Sequence, residues 1–159
     1  MPVPQYILEM RRQIGRQMLY LPAVNALVIN DRREILLQKS KDTGTWLTIG
    51  GMIEPGEEPA DAAIREVYEE TSVRVEPVRV TGVYAGPEVL YPNGDHCIFQ
   101  TVSFLCRAIE GQPRVNDDES LDVAYFSLDA LPPLREDHQM RLRHALSDQL
   151  EAFFATGKR

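Results

Sequence analysis

The sequence predicts an α/β sandwich with a mixed β-sheet. Strand-like and helix-like segments are mixed along the chain, without the strict alternation that a doubly wound parallel sheet requires. The chain has 159 residues, of which 43% are hydrophobic and 26% are charged, and this suits one domain with its own core. We therefore expect residues 1–159 to form a single α/β domain.

Five segments have the hydrophobic and β-branched character of strands. They cover residues 23–30, 34–40, 74–84, 96–109 and 122–128. A short turn at 31–33 predicts that the first two strands form a hairpin, and Asn93-Gly94 is a turn signal between the third and fourth. The segment WLTIGGM, which starts at Trp46, is expected to carry one more short strand.

Three helices are predicted, at residues 4–19, 59–71 and 136–154. Pro59 suits the first turn of the second helix. The apolar positions at helical spacing are Ile7, Met10, Ile14 and Met18 in the first helix, Ala60, Ala63, Ile64 and Val67 in the second, and Leu142, Leu146, Leu150 and Phe153 in the third. The last of these stripes is interpreted as core rather than as a dimer seam. The arginines of the first helix are interpreted as a solvated basic face.

Charge and cysteine content limit the function classes. A net charge of −7 argues against broad binding to nucleic acid, but a metal ion could still bridge the protein to a small phosphorylated ligand. The sequence has neither a membrane-spanning apolar run nor a signal-peptide pattern, so a cytoplasmic protein is expected. Cys97 and Cys106 fall in one predicted strand, about 30 Å apart, which predicts free thiols because a disulfide needs about 7 Å.

The stretch REVYEETSV, residues 65–73, carries three closely spaced glutamates. In a helix, Glu66, Glu69 and Glu70 lie at i, i+3 and i+4 on one face, where like charges repel by about 0.2–0.5 kcal/mol per pair. The negative end of the helix dipole disfavours them further. Such a cluster is either a solvated acidic helix end or a site where Mg²⁺ or Mn²⁺ offsets the charges.

A spaced set of glycine, glutamate and arginine residues surrounds these carboxylates. Gly51 is followed by five residues and then Glu57, and seven further residues precede the run from Arg65 to Val73. This pattern closely resembles the Nudix box of the Nudix, or MutT-like, hydrolases. Every defined position of that box is matched over residues 51–73 except one, Ser72, where the family has glycine. The length and element order of the chain are also similar to a single Nudix domain, and the resemblance implies a Nudix-type α/β/α sandwich with a mixed β-sheet over residues 1–159.

The resemblance implies a metal-dependent enzyme whose ligands come from the box. Glu66 and Glu70 are expected to be metal ligands and catalytic residues, with Glu69 close behind. Glu57 is expected to be a ligand or a support. Arg65 is expected to orient a glutamate, by ion pairing with Glu57 or Glu69, although a purely structural helix pair is an alternative.

The glycines of the box are expected to bring backbone close to the ligands. No Cβ intervenes at Gly50 and Gly51, so their backbone can approach the metal and the substrate phosphates. At Ser72, the missing glycine would normally form a left-handed helix cap. Serine can adopt that conformation at some cost, or the helix can end differently, but no ligand is lost.

The chemistry implied by the resemblance is hydrolysis of a diphosphate linkage in a nucleoside diphosphate joined to another group. Metal ions would offset phosphate charge and activate water, and a glutamate would take the proton. That base is either a box glutamate or an acid of the loop 116–119, where Glu119 is the candidate. The alternative for this loop is a solvated acidic turn.

The substrate is less constrained. Pro87 and Tyr91 lie where some ADP-ribose hydrolases carry a proline and some diadenosine polyphosphate hydrolases a tyrosine, and we take Tyr91 as a substrate-binding candidate. Tyr84 or Phe99 could stack on a base, although a strand aromatic is more often core. The interpretation favours ADP-ribose or another nucleotide sugar, with nucleoside triphosphates as the alternative.

Two other classes are weighed against hydrolysis of a free nucleotide. A nucleotide-sensing binding module usually loses box glutamates, and all four are kept here. An RNA-processing role conflicts with the acidic net charge. The histidines show no metal-ligand spacing and are assigned no role, and a homodimer is compatible with the family without being indicated by the sequence.

Overall fold

The computed structural model describes residues 4–91 and 93–157. Its helices and strands are α1 Gln5–Ile14, β1 Leu19–Ile29, β2 Glu34–Ser40, β3 Trp46–Leu47, β4 Ile49–Met52, α2 Pro59–Thr71, β5 Arg74–Leu90, β6 His96–Glu110, β7 Ser120–Ser127, α3 Glu136–Leu146 and β8 Phe153–Phe154. Residue 92 of the predicted turn and the ends of the predicted domain, 1–3 and 158–159, lie outside the described residues.

The strands form one mixed sheet, as predicted. Its order is β3-β2-β1-β6-β5-β8, with β4 added to β1 and β7 added to β2. β1 runs parallel to β6 along its whole length, whereas β6 and β5 form a long antiparallel hairpin. β1 and β2 meet only where Ile29 lies opposite Ile35 and then diverge, and β4 fills the space beside β1.

Helices cover both faces of this sheet and make a three-layer sandwich. Alternate residues of β1 point to opposite faces. Val24 and Val28 pack with α2 in one core cluster, and Leu27 packs with α3 in a second. α1 packs through Ile7 against the start of β1, in a third cluster. The Nudix-type α/β/α arrangement expected from the sequence is therefore present.

The first helix is shorter than predicted. It ends at Ile14 because Gly15 has a positive φ of 61°, and its N–H bonds to Arg11 O. Met18, expected on the buried side, follows the helix and is 46% exposed. The expected basic face is also wrong for Arg11, whose side chain is only 12% exposed and forms an ion pair with Asp95.

The last helix is also shorter than predicted, and its apolar stripe is only partly core. α3 ends at Leu146, and Leu150 is 80% exposed. Phe153 belongs to β8, opposite Gly82 of β5, and its ring stacks on His144 with the centroids 3.9 Å apart. The aromatic residues at this end of the chain therefore pack as a short strand, which helical spacing alone did not reveal.

The two cysteines are free and buried, as the sequence predicted. Both lie in β6, where their side chains belong to different core clusters. Among the residues that the structure describes, no helix is long and apolar enough to cross a membrane.

Candidate active site

Helix α2 begins and ends where the sequence predicts, at Pro59 and Thr71. Ser72 ends it in the left-handed conformation, with φ 59° and ψ 14°, and its N–H bonds to Tyr68 O. This is the cap that glycine usually provides, adopted here by serine. The packing side of the helix differs from the prediction, because Ile64 is 37% exposed whereas Ala62 is buried.

The loop between β6 and β7 runs along the end of α2 and binds its free carbonyl groups. Arg114 N–H donates to Thr71 O at 3.1 Å, and Asn116 N–H donates to Glu70 O at 3.3 Å. Arg114 Nε also donates to Ser72 Oγ at 2.9 Å. Helix C-termini need such partners, so this loop fixes the last turn of α2.

Arg65 lies at the centre of the acidic cluster and contacts three glutamates. It binds Glu57 through two hydrogen bonds, Nε to Oε1 at 2.8 Å and Nη2 to Oε2 at 2.9 Å. Its Nη1 donates to Glu66 Oε1 at 2.9 Å and to Glu69 Oε2 at 3.2 Å. Paired bonds of this kind fix both position and orientation. The Arg65 side chain lowers the pKa of Glu57.

Glu66 is completely buried, and its carboxylate lies against the backbone of Gly51. A Cβ atom at Gly51 would overlap that carboxylate, so only glycine fits there without a shift. Burial raises the pKa of Glu66 to about 7, although the neighbouring Arg65 lowers it. Glu66 Oε2 is buried without a hydrogen-bond partner.

Glu70 is also buried, one helical turn after Glu66. Its pKa is raised well above the ordinary value, first by burial and then by the charges of Glu66 and Asp117. A side-chain hydrogen bond from Gln38 opposes this rise. Gln38 Oε1 accepts a 2.6 Å bond from Ser120 Oγ, which directs the Gln38 amide group towards donation. Glu70 Oε2 has no partner.

The donor set of this cluster fits a hard divalent cation. Within residues 4–91 and 93–157, no three His, Cys, Asp or Glu side chains form a ready-made metal site. However, Glu66 and Glu70 each leave one buried carboxylate oxygen unpaired. An unpaired buried carboxylate is costly, and Mg²⁺ or Mn²⁺ binds such oxygens. Glu69 is half exposed and already bound to Arg65.

Gly50 lies against the neighbouring strand β1, and Glu119 is exposed in the loop between β6 and β7. A Cβ at Gly50 would overlap Val24 O, so this glycine allows β4 to pair closely with β1. Glu119 is exposed, and its carbonyl accepts the Lys41 N–H at 2.8 Å. In the same loop, it is the charge of Asp117 that acts on Glu70.

The aromatic candidates are placed separately from the glutamates. Tyr91 lies in the turn between β5 and β6 and is 42% exposed. Tyr84 is buried on the α3 side, where its hydroxyl bonds to His144 Nδ1 at 2.9 Å, and Phe99 packs near α1. Both therefore take part in packing, the alternative that the sequence left open.

The sequence analysis missed Gln38, and within the acidic loop 116–119 it singled out Glu119 rather than Asp117. Gln38 is the polar residue that follows an apolar run in β2, a pattern that gives no sign of contact with a helix 32 residues later. The Asp117 side chain accepts the N–H of Ser120 at 2.9 Å and that of Glu119 at 3.2 Å. These bonds fix Asp117 in its turn, and no sequence signal separated it from its acidic neighbours.

A protein-family model described as the NUDIX domain matches residues 19–149. The chain belongs to the Nudix family. It is 30% identical over 134 residues to an ADP-ribose pyrophosphatase of Methanocaldococcus jannaschii, covering 81% of this chain and 76% of that one. It is 30% identical over 114 residues to a putative 8-oxo-dGTP diphosphatase of Bacillus subtilis, covering 72% and 71%. It is also 36% identical over 103 residues to the NAD-capped RNA hydrolase NudC of Pseudomonas fluorescens, but spans only 34% of that protein.

Solved structures of Nudix proteins share the fold. A MutT NUDIX hydrolase of Burkholderia pseudomallei superimposes with a TM-score of 0.66 at 28% identity, covering 79% of this chain and 98% of the other. An ADP-ribose pyrophosphatase of Streptococcus suis gives a TM-score of 0.62 at 27% identity, covering 83% and 96%. The family and fold predicted from the sequence are thus confirmed. The protein is a Nudix hydrolase, of a family whose members act on small nucleotides and generally use a divalent metal.

Proposed function

We propose that this Nudix protein is a metal-dependent pyrophosphohydrolase that cleaves the diphosphate linkage of a nucleotide sugar such as ADP-ribose. The observation that carries the proposal is the pair of buried carboxylates, Glu66 and Glu70, each with one unpaired oxygen. They lie close enough for the charge of Glu66 to raise the pKa of Glu70. Two such groups destabilise the protein unless a cation joins them.

The ligand set proposed for Mg²⁺ or Mn²⁺ is Glu66, Glu69 and Glu70, with Glu57 and the Gly50 backbone as supports. When bound, the metal would offset phosphate charge and lower the pKa of a bound water. The protein holds its own ligands in place beforehand, because Arg65 binds one oxygen of Glu66 and leaves the other free.

Arg65 and Gly51 are proposed to prepare the site for the diphosphate group. Arg65 is shared by three glutamates, so its guanidinium is fixed and the carboxylates around it keep their spacing. Gly51 carries no side chain where the Glu66 carboxylate meets the backbone. The Glu66 carboxylate can therefore lie directly against this backbone.

The proton from the attacking water is proposed to pass to a box glutamate or to an acid of the 116–119 loop. Glu119 stays a candidate from the sequence. Asp117 is a second candidate from this loop, because its charge acts on Glu70. An Asp117→Asn variant that lost activity while Glu119→Gln kept it would decide between them.

The preference for a nucleotide sugar rests on relatives and on one exposed aromatic residue. A protein 30% identical to this chain and a structural neighbour at 27% identity are both ADP-ribose pyrophosphatases. Tyr91 is half exposed in the β5–β6 turn and is proposed to contact the substrate. The relative from Bacillus subtilis favours a second candidate, a nucleoside triphosphate of the 8-oxo-dGTP type.

A non-catalytic nucleotide sensor is the alternative from another class. This protein keeps Glu57, Glu66, Glu69 and Glu70, and its buried carboxylates have oxygens available for a cation. A sensor has no need for such a costly pair of groups. Hydrolysis is therefore the better-supported function.

The test is hydrolysis of a nucleotide panel with Mg²⁺ or Mn²⁺, with identification of the products. The panel contains ADP-ribose, other nucleotide sugars, NAD, dinucleoside polyphosphates, and normal and oxidised triphosphates. We expect metal-dependent cleavage of ADP-ribose, and loss of on the order of 10³-fold in kcat for Glu70→Gln.

Asp61→Asn is the matched control, because Asp61 is an exposed carboxylate in the first turn of the same helix. Activity on triphosphates alone would replace the proposed substrate class. Folded protein that binds Mn²⁺ yet turns over no compound would support the sensor.

A further inference from the structure

Thr48 is the residue at which the chain changes its partner strand. β3, which ends at Leu47, pairs with β2, whereas β4, which begins at Ile49, pairs with β1. Thr48 belongs to neither ladder, and its N–H donates instead to His138 Nδ1, at 3.3 Å. His138 belongs to α3, which packs on the sheet face opposite α2.

A buried hydrogen-bond network holds Thr48 and Ile49 at the point where the chain passes from β3 to β4. Asn25 Nδ2 donates to Thr48 Oγ1 at 2.7 Å and to Ile49 O at 2.9 Å, and Ser103 Oγ donates to Asn25 Oδ1 at 3.4 Å. Thr48 Oγ1 also contacts His138 Nδ1, at 2.6 Å. The side chains of Asn25, Thr48, Ser103 and His138 are all buried.

The partners of the imidazole decide its tautomer. A backbone N–H can only donate, so Nδ1 of His138 is an acceptor and the proton of the neutral ring lies on Nε2. The nearest acidic group is Asp137, whose Oδ2 is 3.9 Å from Nε2. Burial lowers the pKa of His138 to about 4, so the ring stays neutral at ordinary pH.

Stability alone does not account for polar residues at this place. Replacing both partners of a buried hydrogen bond by apolar groups of the same shape can be nearly neutral. What the network adds is a fixed position for the backbone that it binds. It fixes Thr48 and Ile49, which immediately precede Gly50 and Gly51, and Gly51 is the residue against which the Glu66 carboxylate lies.

We propose that His138 is a positioning residue for the active site, which acts by accepting the Thr48 N–H and so fixes Gly50 and Gly51 beside Glu66. This inference rests on the proposed function of the Glu66 and Glu70 site. It gives α3, on the far side of the sheet, a role in the geometry of catalysis. Misplacing a catalytic group by about 1 Å can cost on the order of 10²-fold in rate.

The experiment compares His138→Leu, His138→Asn and Leu142→Ala. Leucine removes the acceptor, whereas the side-chain oxygen of asparagine can occupy the position of Nδ1. Leu142 is a buried core residue of α3 outside the network, so its variant controls for loss of stability. Each variant is measured for kcat and KM at a temperature where it is fully folded, and for the ¹⁵N–¹H shifts of Gly50 and Gly51 without metal.

We expect His138→Leu to lower kcat by about 10- to 100-fold, to leave KM within about 3-fold, and to shift both glycine signals. His138→Asn should recover most of the rate, and Leu142→Ala should keep both the rate and the signals. Equal kcat in His138→Leu and Leu142→Ala, with unshifted glycines, would overturn the proposal. So would an asparagine variant as slow as the leucine variant.

Failure of the proposed function has a different signature. If the wild-type protein turned over no nucleotide, the hydrolase proposal would fail, but the glycine shifts of the metal-free variants would still decide whether His138 positions this segment.

Discussion

Glu66 and Glu70 are buried glutamates one turn apart on the same helix, and they are held in different ways. A cation from the same helix, Arg65, binds Glu66 and offsets its charge. A neutral amide from a distant strand, Gln38, binds Glu70 and leaves its charge uncompensated. The difference shows that two carboxylates of one helix have different electrostatic surroundings, because the partner of Glu66 is a cation of the box and the partner of Glu70 is a neutral residue of β2.

The largest loss of stability should follow replacement of Arg65, the cation that binds Glu66. Arg65→Met leaves the buried Glu66 charge without a partner, which typically costs about 3–5 kcal/mol. Urea unfolding of the metal-free protein measures this loss. Arg74→Met is the control, because its ion pair with Glu110 is exposed and worth little. Equal losses in the two variants would mean that Arg65 does not stabilise Glu66.

The pH dependence of stability should reveal the cost of burying the Glu66 carboxylate, which Arg65 offsets only in part. The pKa of Glu66 is about 7 in the folded protein, against 4.5 for an ordinary glutamate. Between these values the folded state binds more protons than the unfolded state. Stability is therefore full below the lower value and is lost as pH rises through the higher one, by about 3 kcal/mol.

Thermal unfolding of metal-free protein across that pH range tests the sign. Glu66→Gln should remove the Glu66 part of this loss and leave a slope of the same sign from Glu70, whose pKa is also raised. Added Mg²⁺ should restore stability at the high-pH end, because a cation stabilises the charged form. A stability that rises with pH in the metal-free protein would contradict the assignment.

Replacement of Gln38, the neutral partner of Glu70, should affect metal binding more than stability. Gln38→Leu frees the Glu70 carboxylate from its donor, and loss of a residue that orients a metal ligand typically weakens metal affinity about 10- to 100-fold. Titration with Mn²⁺ measures the change. Gln139→Leu is the matched control, since Gln139 lies on α3, on the other face of the sheet from α2, and its amide donates to Leu134 O. Unchanged Mn²⁺ affinity in Gln38→Leu would remove Gln38 from the site.

The smallest effect should come from the end of the helix that carries both glutamates. Ser72→Gly removes the strain of a left-handed serine, which costs about 1 kcal/mol in stability. It also removes the exposed hydrogen bond from Arg114, so the net gain in stability is smaller. The melting temperature should therefore rise slightly. Mn²⁺ affinity and kcat should stay constant, because Ser72 contacts neither carboxylate; a change in either would show that the cap controls their position.

Much of the fold follows from local pattern. α2 was predicted to its ends because Pro59 starts it, its glutamates and apolar residues recur at helical spacing, and Ser72 stands at a cap position. The C-terminal ends predicted for α1 and α3 were wrong, whereas α3 begins at Glu136 as predicted. The chain there follows tertiary packing: residues after Gly15 lead into β1, and Phe153 joins β5 and stacks on His144.

The sequence by itself determined the family, the acidic helix and the identity of the carboxylates, because these depend on residue types at fixed spacing along one segment. Only the tertiary structure decided which carboxylates are buried, which oxygens stay unpaired, and that Gln38 and Asp117 act on Glu70. The physical reason is distance along the chain. Burial and hydrogen bonding depend on residues that contact each other across the sheet, and local sequence patterns do not predict those contacts.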